Sequence, residues 1–108
     1  MRRSTSMMPI KVKFSDFRSH VVATLLDPGN TMHRLPTADD ESFRLANTID
    51  WYDTTVLSSA DMQEFLEELD RVLADTRDAD DIRFLRALRD LATRCSREPG
   101  SSLEFVGD

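Results

Sequence analysis

The chain has 108 residues and a formal net charge of −6, the length of one domain, with an acidity that disfavours nucleic acid as a partner. A composition 40% hydrophobic and 31% charged excludes a disordered chain. No apolar run nears the ~20 residues of a membrane span, and a lone Cys95 excludes an internal disulfide, which predicts a cytoplasmic protein.

Residues 1–8 read as a flexible tail, basic but without the apolar core of a signal peptide. A single domain is expected over residues 9–108. After Pro9, Ile10, Val12 and Phe14 alternate with Lys11, Lys13 and Ser15, the period-two pattern of a half-buried strand. Polar residues 15–19 make a turn. Val21-Val22-Ala23-Thr24-Leu25-Leu26 then suits a second strand, stopped by Asp27-Pro28-Gly29-Asn30. The expected element is a β-hairpin. Its rival is a helix over residues 16–26, because Phe14, Phe17, Val21, Val22, Leu25 and Leu26 also fit helical spacing.

Residues 31–57 carry a weaker pattern. Phe43, Leu45 and Ile49 are expected in the core, the acidic run at 39–41 in a solvated loop, and Trp51 to Leu57 in an extended stretch. Beyond residue 58 the periodicity is plain. Ser58 and Asp61 form a capping-box-like start. Met62, Phe65, Leu66, Leu69, Val72 and Leu73 then share one helical face, with Glu64, Glu67, Glu68, Arg71 and Asp75 opposite. Asp78 is placed to cap a second helix, whose buried stripe is Phe84, Leu85, Leu88, Leu91, Ala92 and Cys95. Pro99-Gly100 ends it, and Leu103 to Val106 reads as a final strand.

The expected fold is α+β: an N-terminal hairpin plus a C-terminal strand form a small antiparallel sheet, packed on antiparallel helices at about 59–75 and 79–97. The last strand is expected beside strand 10–15, with strand 20–26 as the alternative neighbour.

Several stretches resemble an uncharacterised family of small, largely actinobacterial proteins. They are Asp27-Pro28, Met32-His33-Arg34-Leu35-Pro36, the Ile49-Asp50-Trp51-Tyr52-Asp53-Thr54-Thr55 segment, Met62 opening a helix, and Phe105-Val106-Gly107-Asp108. Leu57-Ser58 stands where members usually have Phe-Asn, and Asp61 where they often have Gln. The resemblance implies one compact domain and no particular reaction.

No constellation for catalysis is visible, and no enzyme activity, cofactor or metal is expected. Asp53-Thr54-Thr55 lacks the glycine of an aspartic-protease motif and is read as a turn and cap. His20 and His33 have no partner at metal-ligand spacing. Cys95 lies on an apolar stripe, where a small buried hydrophobe is expected rather than a nucleophile.

The one strong signal is charge sorting. Residues 39–81 hold fourteen acids and three basic residues, between net-positive flanks. Helix caps and outer faces account for Asp61, Glu64, Glu67, Glu68, Asp78, Asp80 and Asp81. A smaller patch is unaccounted for: Asp39, Asp40, Glu41, Asp50 and Asp53, beside Trp51 and Tyr52. Adjacent aromatics next to charges suit an interface anchor. These seven residues are the expected binding site for a protein partner of basic character, as an immunity protein or inhibitor would have. The competing readings are a small enzyme or ligand binder with its site at residues 50–55, and a homodimer pairing through a sheet edge.

Overall fold

The computed structural model of the protein describes residues 11–27, 45, 48–49 and 53–107. They form strands β1 (Lys11–Ser15), β2 (Val21–Leu26) and β3 (Thr54–Ser58), helices α1 (Met62–Asp75) and α2 (Ala79–Arg97), and strand β4 (Ser102–Val106). A 3-10 turn, Ser59–Asp61, leads into α1. The expected α+β architecture is what forms: a four-stranded antiparallel sheet in the order β2-β1-β4-β3, packed on two helices.

β1 and β2 form the hairpin, and the rival helix is overturned. Burial shows why. Phe17 is 69% exposed, so the apolar residue that would complete a helical stripe is not in the core. Ala23 and Leu25 instead point inward opposite Phe14 and Val12, as alternation in a strand demands. The reversal rests on Asp16. Its carboxylate accepts the amides of Arg18 and His20, each at 2.9 Å. Ser19 takes a positive φ of 65° to close the turn.

β4 pairs with β1 as expected, and it also pairs with β3 on its other side. This fourth strand is where the sequence reading fell short. An extended stretch is expected from Trp51 to Leu57 and a turn and cap at Asp53-Thr54-Thr55; the extended part forms, with Thr54 and Thr55 inside β3 rather than in a cap. The cap lies further on, where the Ser58 amide donates to Asp61 Oδ2 at 2.9 Å.

The helices match their periodicity. Met62, Phe65, Leu69 and Val72 of α1 are buried, as are Phe84, Leu85, Leu88, Leu91, Ala92 and Cys95 of α2. The α2 start is capped by Asp78, which accepts the Asp81 amide at 3.0 Å. Asp80 and Asp81 in the first turn and Arg94 and Arg97 in the last complement the helix dipole. Phe65 meets Phe105 of β4 edge-to-face at 5.7 Å, joining helix layer to sheet. Val12, Phe14, Leu57 and Leu103 complete the sheet side of this core, together with Leu45 and Ile49. Phe43 lies outside the described residues.

The return from α2 to β4 is tight. Ser101 Oγ lies 2.6 Å from the Glu98 carbonyl and 3.0 Å from that of Cys95, closing the helix end. Gly100 has φ +86°, and a Cβ there would stand 3.0 Å from Phe17 Cβ. Both backbone conformation and space therefore require glycine. Gly100→Ala is expected to cost about 1 kcal/mol or more, read as a lower urea midpoint with an unchanged slope.

Candidate functional site

Among the seven residues expected to bind a partner, Asp39, Asp40, Glu41, Asp50, Trp51 and Tyr52 lie outside the described residues. Asp53 is described, and it is exposed. It does not cap a helix. Its Oδ1 accepts the Thr54 amide at 2.7 Å, and its carbonyl accepts the Gly107 amide at 2.8 Å. Asp53 is thus held where β3 begins and β4 ends.

The strand register assembles the surroundings. Leu26, Lys11, Val106 and Thr54 form one row across the four strands. Asp53, Gly107 and Asp27 follow at the same end of the sheet. Asp27 has no exposed surface, so a residue read as part of a turn is built into the interior.

The sheet face turned away from the helices is mixed in character. Thr24, Lys13, Glu104 and Val56 form its second row, with Lys13 directly opposite Glu104. Leu26 and Val56 are about half exposed, at 51% and 57%. Opposite charges on the two central strands support their pairing, and the apolar side chains of Leu26 and Val56 flank them on the outer strands.

Glu68 corrects the sequence reading. Its charge predicts the solvent face of α1, yet it is 2% exposed. Its Oε2 accepts the Leu45 amide at 2.9 Å, so the carboxylate ties a distant stretch of chain onto the helix. The signal was present in the spacing. Glu68 lies three residues after Phe65 and four before Val72, in the middle of the buried stripe. A carboxylate in that position needs internal hydrogen bonds, because its water is gone.

Charged pairs organise the outer helix faces. Arg89 grips Asp70 through both oxygens, Nε to Oδ1 at 2.6 Å and Nη2 to Oδ2 at 3.3 Å, bridging α2 to α1. The Arg89 hydrogen bond holds the Asp70 carboxyl below the usual carboxylate range, against a smaller opposing effect of burial. Asp16 is likewise held low, chiefly by the His20 amide. His20 is exposed and stands 4.0 Å from Asp16. Arg94 lies over the Phe14 ring at 4.9 Å, covering the core edge with a cation.

The buried Cys95 thiol is pushed up by desolvation, partly offset by the hydroxyl of Ser101 at 3.3 Å. Such a thiol is a poor nucleophile. Among the described residues no group of three or more His, Cys, Asp or Glu side chains is placed to hold a metal ion. No helix among them is long and apolar enough to cross a membrane.

Comparison with protein-family models, with curated proteins and with solved structures finds no match to this chain.

Two outcomes follow from these geometries. Glu68→Ala strands the buried Leu45 amide and is expected to cost about 1–3 kcal/mol. Glu68→Gln keeps an acceptor and costs less. Chemical denaturation, with hydrogen exchange at the Leu45 amide, distinguishes the two. Asp70 has a depressed folded pKa, so its stabilising contribution is present above its unfolded pKa and is lost as pH falls through the folded value. Asp70→Asn should therefore lower the unfolding midpoint slightly at neutral pH and approach the parent as acidification protonates Asp70 in the folded protein. The effect is small because the pair is solvent-exposed.

Proposed function

We propose that this chain is a non-enzymatic, cytoplasmic protein-binding module that recognises a basic protein partner, in the manner of an immunity protein or inhibitor. The observation that carries this reading is the concentration of acid between residues 39 and 81. Part of that acid has structural work: Glu68 is buried, Asp61 and Asp78 cap helices, and Asp70 and Asp80 face Arg89 and Arg83. Asp53, Glu67 and Asp75 remain exposed to solvent. A surface of one sign attracts a partner of the other sign from a distance, raising the association rate more than the final affinity.

In this proposal Asp39, Asp40, Glu41, Asp50 and Asp53 supply the steering charge, and Trp51 and Tyr52 supply the apolar anchor. Aromatic anchors of this kind carry much of the energy in protein interfaces.

The test takes the partner identified by affinity capture and mass spectrometry, then measures association by stopped flow. Reversing Asp39, Asp40, Glu41, Asp50 and Asp53 to lysine is expected to slow association about tenfold or more at low salt. The difference should shrink as salt screens the charges. Trp51→Ala is expected to act on the dissociation rate instead. Equal association rates at low ionic strength would refute the charge-steered reading.

A further inference from the structure

We propose that the sheet face turned away from the helices docks on the same face of a second copy of this chain, about a two-fold axis lying between β1 and β4. That face is open to solvent. Leu26 and Val56, on its two flanks, are 51% and 57% exposed, and Thr24 and Thr54 in the same two rows are exposed as well. An antiparallel sheet can leave one face to water, but half-exposed aliphatic side chains on both flanks favour a covering. Both rows lie in the regular part of the β1–β2 pairing, short of the irregularity at Phe14/Ser15.

Charge selects the second copy. The charged residues of these two rows are Lys11, Lys13 and Glu104. Basic groups outnumber acidic ones, so the face does not suit the basic partner proposed above. It suits another molecule of the same chain, because two copies of net charge −6 repel through their acidic surfaces and approach best where acid is sparse. Lys13 and Glu104 stand directly opposite each other on the central strands, half-buried, and neither has an ion pair among the described residues. A two-fold axis between them exchanges their positions. Lys13 of each copy then meets Glu104 of the other, and the match is made twice, as a self-complementary interface requires. Sheets packed face to face cross at about 30°. Lys13 and Glu104, beside the axis, stay opposed at that angle. The outer strands lie across one another, β2 on β3, so Leu26 and Val56 of different copies come together at both rims.

The size of this contact fixes its strength. Four strands of five or six residues present less than the roughly 800 Å² per partner of a standard interface. The dimer is accordingly weak and concentration-dependent, with a dissociation constant in the micromolar range or above. It does not rest on the acidic patch, so a failure of either proposal leaves the other standing.

The experiment is sedimentation velocity on the full chain from micromolar to millimolar concentration, where a reversible monomer–dimer equilibrium is expected. Lys13→Glu sets carboxylate against carboxylate on both sides of the axis and should weaken dimerisation about tenfold or more. Glu104→Lys should do the same with ammonium groups. Circular dichroism and thermal melting check that each variant folds. An equimolar mixture of K13E and E104K should recover the dimer, because every carboxylate of one chain then faces an ammonium group of the other. An effect confined within one copy does not produce that recovery. Val56→Lys, at the rim and away from the charged pair, should weaken dimerisation by an independent route. Glu67→Lys, on the outer face of α1, should leave the equilibrium unchanged. A parent chain that stays monomeric throughout, a K13E or V56K variant as dimeric as the parent, or a mixture that does not recover would each overturn the proposal.

Discussion

The structure depends on β4 lying between β1 and β3. Leu103 and Phe105 face the helices from the centre of the sheet, and neither has exposed surface. Both neighbouring strands take their register from this one: Phe14 and Leu57 flank Leu103, and Val12 and Thr55 flank Phe105. β1 and β4 are separated by most of the chain, so their pairing closes a long loop before any ladder forms. The helix pair makes that closure favourable. Phe65 packs edge-to-face on Phe105, and the buried stripes of α1 and α2 cover the same sheet face. Sheet and helices are therefore mutually dependent, and neither layer would bury its apolar face alone.

Buried polar groups then determine how Leu45 attaches to the helix layer. Hydrophobic contact is tolerant of direction, whereas a hydrogen bond to a buried carboxylate is not. Glu68 receives the Leu45 amide in the interior, and Leu45 itself belongs to the buried core. Asp27 is equally enclosed at the end of β2. Both acids look like surface residues when counted as charge. Their burial means that net charge along the sequence overstates the charge presented to solvent, and the acidic stretch is less uniform than its composition.

The helices were legible almost to the residue, because a one-sided apolar stripe over fourteen or nineteen residues admits few other arrangements. The hairpin was legible with a rival, since a short apolar run satisfies both periods. β3 was half legible: an extended stretch was expected, but five residues of Thr, Val, Leu and Ser carry no sign of which strand they join. The charge of Glu68 points to solvent, but its position within the apolar stripe puts it in the core. In the candidate site, the sequence marked Asp53 among seven residues. The strand register adds what spacing could not show: Asp53 sits at the same sheet end as Asp27 and Lys11.

The sequence by itself determined the local elements: both helices and their caps, the alternation of β1, and the sorting of charge along the chain. These follow from periodicity, capping and composition, which act between residues a few positions apart. Only the tertiary structure decided the pairing of β3 with β4, the outer position of β2 among the described strands, and which of the described acids face water. Those outcomes depend on contacts between residues tens of positions apart. There the deciding quantity is the burial each arrangement achieves, which no local pattern encodes.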